Sequence, residues 1–151
     1  MQHSLRFLVV VVLFAALAVP ALADKRIEGR WMVNVTIPVG PDTNTRQTLA
    51  LNFEVGPMGD SLHGRIVVTD DGGRTYGAVY RQVGKKFSIT FELPCEGSGD
   101  NSCGSVVLKG KVKSGGVRIK GSAIVMWDSE NTQNPALFDT SNGSFSGDRV
   151  Q

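Results

Sequence analysis

Histidine and cysteine are scarce in this chain, with two of each in 151 residues. His3 lies in a leading segment whose pattern marks it for removal, which leaves His63 alone. Without a second histidine or a spare thiol, neither a hydrolase triad nor a zinc site finds its parts. His63 itself alternates between Leu62 and Gly64 in a strand-like run and reads as a surface residue. A dominant charge is also lacking: 16 Lys and Arg face 14 Asp and Glu. So even a balance excludes a dedicated nucleic-acid binder, which is plainly basic. Beyond residue 23 no apolar run approaches the roughly 20 residues that a membrane-spanning helix needs. The 3.6-residue periodicity of an amphipathic helix is missing after that point as well.

The first 23 residues are what remains of apolar continuity. Arg6 precedes the uninterrupted run Leu8 to Ala18, and Ala21-Leu22-Ala23 ends the segment as an A-x-A site. That order is a secretory signal peptide, cleaved after Ala23, and it implies a secreted or periplasmic protein. The mature part, 24–151, is a single domain by length. Cleavage takes one basic residue and no acid, leaving 15 against 14. In an oxidising compartment Cys95 and Cys103 read most simply as a disulfide. So short a closed loop stabilises a fold by roughly 2–3 kcal/mol.

What is abundant is period-two alternation, broken by Gly, Asp, Asn and Pro clusters, the signature of strands and turns. Eight strands are expected, at 26–37, 46–55, 61–69, 74–82, 86–94, 105–113, 117–127 and 143–150. Short connections make consecutive strands pair as antiparallel hairpins. A meander of eight either closes or leaves two exposed edges, and eight is a natural number for closure. The fold expected is all-β, an antiparallel eight-stranded up-and-down barrel. The alternation turns Trp31, Leu49, Phe53, Leu62, Gly64, Leu93, Val106 and Trp127 inward, with Gly29 also on the inner face. It leaves the facing of Tyr76, Ala78 and Tyr80 in the fourth strand open.

Gly29-Arg30-Trp31 resembles the G-x-W that opens the first strand of the calycins, the lipocalin and avidin group of ligand-binding barrels. The chain's last strand ends in Phe145-Ser146-Gly147-Asp148-Arg149. The resemblance implies that Trp31 closes the base of the barrel and that Arg149 packs across it as a cation–π pair. It implies no activity. The chain departs from lipocalins in lacking a C-terminal helix and their central Thr-Asp motif. With two tryptophans it cannot build the aromatic box of avidins, so biotin is not the ligand.

Strand direction sends the longer connections to one end: 38–45, 70–73, 95–103 and 128–142. Loops carry function more often than scaffolds do. That mouth gathers Asp42, Asp70, Asp71, Glu96, Asp100, Asp128, Glu130 and Asp139, read as solvated loop acids because no Asp-x-Asp-x-Asp-Gly calcium loop is present. No cofactor and no metal site is expected, and no carboxylate pair is singled out for glycosidase chemistry. Inside the mouth, Leu49, Tyr76, Leu93, Val106 and Trp127, with Phe138 from the 128–142 segment, form either a small-molecule pocket or the top layer of a filled core. The reading is non-catalytic binding of a small apolar or aromatic molecule there. An alternative is a protein-interaction module, or an inhibitor of a secreted enzyme, that uses the 38–45, 95–103 and 128–142 loops. A third is weak polyanion binding. Lys109, Lys111, Lys113, Arg118 and Lys120 alternate with inward residues and share an outer face, which reads first as a solvated surface.

Overall fold

The alternating pattern becomes a closed sheet in the computed structural model, which describes residues 26–39, 44–59, 62–94, 102–113, 115–127 and 140–151. The strands are β1 (Gly29–Pro38), β2 (Arg46–Val55), β3 (Gly64–Asp70), β4 (Thr75–Val83), β5 (Lys86–Pro94), β6 (Ser102–Val112), β7 (Arg118–Trp127) and β8 (Thr140–Arg149). Each pairs antiparallel with the next, and β8 returns to β1 from Trp31↔Arg149 to Thr36↔Ser144, so no edge is left. This is the up-and-down barrel that the alternation predicts. Residues 1–25, which hold the expected signal peptide, lie outside the described residues.

Alternate residues fill the interior. Trp31, Val33, Val35 and Ile37 of β1 are buried, as are Phe53, Ile66, Val68, Ile89, Leu108, Ile119 and Val125 on the other strands. Aromatic rings meet inside the barrel: Phe53 and Phe91 edge to face at 6.4 Å, and Phe87 and Phe145 at 6.0 Å. An eight-stranded barrel is just wide enough for its own side chains, and here they occupy it. The fourth strand, left open by the sequence, turns Ala78 and Tyr80 into the core.

Three inner glycines allow close approaches of rings and backbone. A Cβ on Gly64 would stand 2.1 Å from the Tyr80 ring, whose hydroxyl donates to the Gly56 carbonyl at 2.6 Å. Gly110 and Gly121 are paired directly across β6 and β7. A Cβ on Gly110 would press on Phe145, and one on Gly121 on the Lys109 carbonyl. The tight curl of a small barrel requires such close approaches.

The base is locked. Ile27, fully buried, lies in the segment that precedes β1. Its N–H donates to Gln82 Oε1 at 2.8 Å, and its carbonyl accepts from Trp31 Nε1 at 2.6 Å. The Arg149 guanidinium carbon lies 4.5 Å from the Trp31 ring centroid. The same guanidinium donates to the carbonyls of Gly116, Glu28 and Arg26, at 2.8, 2.8 and 2.6 Å. One side chain thus ties the ends of the barrel sheet to the segment beneath it.

Several boundaries differ from the sequence expectation. Residues 26–28 precede β1 rather than opening it, and Leu62 precedes β3 and is 69% exposed instead of inward. Leu62 follows a turn, so its apolar character carries no facing information. Gly29 is exposed, with φ of 112° that favours glycine, and sits against Arg149 rather than in the core. β6 and β8 begin earlier than expected, at Ser102 and Thr140. Those first turns of strand are polar or glycine-rich and show no apolar alternation.

Candidate binding site at the barrel mouth

At the mouth, β1, β3, β5 and β7 end and β2, β4, β6 and β8 begin. Ile37, Leu51, Val68, Phe91, Val106 and Val125 form a buried layer there. Val106, expected to line a pocket, is completely buried within it. Above that layer Leu49, Tyr76 and Trp127 are half-buried and pack against the core. These three are the sequence candidates that the fold does bring to the rim. Leu93 has its backbone on β5, paired to Gly104, which in turn pairs with Trp127. The inner wall therefore carries a glycine directly beside the indole-bearing position. The side chains of Leu93 and Cys103, and the whole of Cys95 and Phe138, lie outside the described residues, as do 95–101 and 128–139.

Each rim aromatic is oriented. Trp127 Nε1 donates to Ser141 Oγ at 3.0 Å. Ser141 is buried because β8 continues its inward parity from Phe145 through Gly143 to this position. The Tyr76 ring packs on Phe91 at 5.9 Å between centroids. Burial, then the neighbouring charge of Asp70, pushes the Tyr76 phenol up to about 12, with Arg74 opposing. At any ordinary pH it is a neutral hydrogen-bonding group beside an apolar ring.

Asp70, expected among solvated loop acids, ends β3 instead, facing inward and nearly buried. Its Oδ1 accepts from the Arg74 backbone N–H and its Oδ2 from Arg74 Nε, both at 2.8 Å. Burial raises its pKa, but the hydrogen bonds and charge of Arg74, with the Gly72 N–H, outweigh that and hold it below the usual carboxylate value. The signal was present in the sequence: Ile66, Val68 and Asp70 are spaced two apart, and the strand simply runs one residue further. Ser141 had no such signal, being a polar residue at the start of a strand whose alternation begins at Gly143. Among the described residues no cluster of His, Cys, Asp and Glu could hold a metal ion.

The basic residues occupy the outer wall. Lys109, Lys111 and Lys120 are exposed on β6 and β7, and Lys113 follows β6. Arg118 differs from them: its Nε donates to Asp148 Oδ1 at 2.8 Å, an exposed pair. Loss of hydration, then the charges of Lys120 and Lys111, holds the Lys113 ammonium below the usual lysine range. Arg81 joins this wall from β4, and the unresolved facing of that strand is why the sequence did not reveal it.

No protein-family model matches the chain, and no curated protein or solved structure matches it.

Proposed function

We propose that this chain is an exported, non-catalytic binding protein of calycin type, whose ligand is a small apolar or aromatic molecule held at the rim of the barrel. The observation that carries this reading is Trp127. A large indole is kept half-buried at the end of a sheet, on a packed layer, with its N–H fixed by Ser141. Aromatic surface left partly exposed beside a few oriented polar groups is the chemistry of a small-molecule site. Tyr76 supplies a second ring and a neutral hydroxyl. Because Phe53 and Phe91 fill the level beneath, the ligand lies shallow, across the rim rather than deep in a calyx. The G-x-W start and the Arg149 contact with Trp31 support the calycin assignment, and the A-x-A segment at 21–23 supports export.

Native mass spectrometry of the protein from its own host's exported fraction tests this. A reproducible small adduct, released on denaturation and lost in Trp127→Phe, is the expected result. The denatured mass should start at Asp24 and be two hydrogens light, for a bond between Cys95 and Cys103. A bare native mass from the host fraction, with no change on adding apolar dyes, would remove the rim as a ligand site.

A further inference from the structure

The outer wall carries an arrangement that neither the fold nor the rim site requires. Lys86, Lys111 and Lys120 stand directly opposite one another in register on β5, β6 and β7. Like charges facing each other across strands destabilise a sheet. Among the described residues no acid pairs with any of the three, and Asp148, on the strand beside Lys120, is taken by Arg118. The same row continues through Ser146 on β8 to Asn34 on β1. A second row runs beside it: Arg81, Ser88, Lys109, Ser122, Ser144 and Thr36. Cations thus occupy β4 to β7, and hydroxyl and amide groups flank and extend them.

Shallow, open depressions lie between these side chains. A cleft of about 480 Å³ lies between Arg81, Lys86, Lys109 and Lys111 over Phe87 and Gly110. A second, of about 470 Å³, lies between Lys111, Lys113, Lys120, Asn34 and Ser146. A third, of about 620 Å³, continues past Lys113 and Lys120 to Ser146 and the Arg118–Asp148 pair. Adjacent clefts share Lys120, and the first two also share Lys111. The cations, from β4 to β7, span three strand intervals, an arc of about 14 Å at about 4.8 Å each. Hydroxyl and amide groups carry the row on around the barrel to β1.

We propose that this belt binds an acidic polysaccharide, its carboxylate or sulfate groups on Lys86, Lys109, Lys111 and Lys120 and its hydroxyls on the serines and Asn34. The anionic groups of such a chain meet the cations clustered on β4 to β7, and its hydroxyls meet the serines beside them and the Ser146 and Asn34 that carry the row onward. Single-stranded nucleic acid fits less well, because Phe87 and Phe145 beneath the clefts are buried and offer no ring face for base stacking. A flat bilayer would meet only part of a wall that curves around a closed barrel.

The test measures retention and equilibrium binding of the full exported chain on heparin and on a polyuronate, across a range of salt. Lys111→Gln with Lys120→Gln should weaken both by at least about tenfold and flatten the salt dependence. The same pair should keep or raise the thermal midpoint, since it removes a repulsion, which shows that lost binding is not lost folding. Arg46→Gln with Arg65→Gln removes the same charge elsewhere and should leave binding within about twofold. Equal loss in both double variants would reduce the belt to net charge and overturn the proposal. Unchanged binding in Lys111→Gln with Lys120→Gln would overturn it too. So would single-stranded DNA or phosphatidylserine vesicles binding more tightly than heparin at equal salt with the same lysine dependence.

Discussion

The two ends of the barrel are built from similar residue types to opposite effect. Each has a tryptophan donating its N–H and a charged side chain bound to backbone. At the base, Trp31 is wholly buried, and Arg149 both covers its ring and bonds three carbonyls across the strand ends. At the mouth, Trp127 is only half-buried, its bond goes to a serine, and among the described residues Asp70 bonds within its own turn. The base spends its polar groups on long-range closure, and the mouth spends them on local orientation. That difference separates a structural lock from the rim proposed as the binding surface.

Replacing Trp31 with alanine should break the comparison most severely. It removes a buried ring, the Ile27 hydrogen bond and the partner of Arg149, and a loss of about 3–5 kcal/mol is expected from chemical denaturation. Gly64→Ala comes next, at about 1–3 kcal/mol, because Tyr80 is tied to Gly56 and cannot retreat from the added methyl. At the mouth, Asp70→Asn should cost about 1–2 kcal/mol, measured the same way.

That carboxylate also gives the mouth a pH dependence. Its folded pKa is lowered, so the unfolded chain binds the proton more readily. The stabilisation is therefore full above the ordinary aspartate value of about 3.9 and is lost as pH falls through the folded value. Wild-type stability should decline over that acid range more than the Asp70→Asn variant's does. Equal decline in the two would assign the acid sensitivity elsewhere.

The parts legible in the sequence were those written in apolar alternation. All eight strands, their closure and, Gly29 excepted, the inward set of β1 and β2 follow from it. The pairing of Arg149 with Trp31 came from the resemblance together with the strand topology, which puts both residues at one end of the barrel. What stayed hidden was polar. Ser141 faces inward at a strand start where no apolar neighbour marks the phase. Asp70 lies one residue past the expected end of a strand whose phase Ile66 and Val68 do mark, and Arg81 sits on a strand whose two faces are similarly mixed. The belt of lysines was visible as a patch, but its register was not, because which lysine opposes which depends on pairing across strands.

The most direct measurement is the affinity of Nile red, a neutral apolar dye, for the wild type, Trp31→Phe and Trp127→Phe, with the denaturation midpoint of each taken alongside. Trp127→Phe should lose most of the dye affinity while its stability changes by about 1 kcal/mol or less. Trp31→Phe should lower stability and leave dye affinity in the folded protein unchanged. Dye binding that survives in Trp127→Phe, or that falls in step with stability in both variants, would contradict the assignment of closure to the base and binding to the mouth.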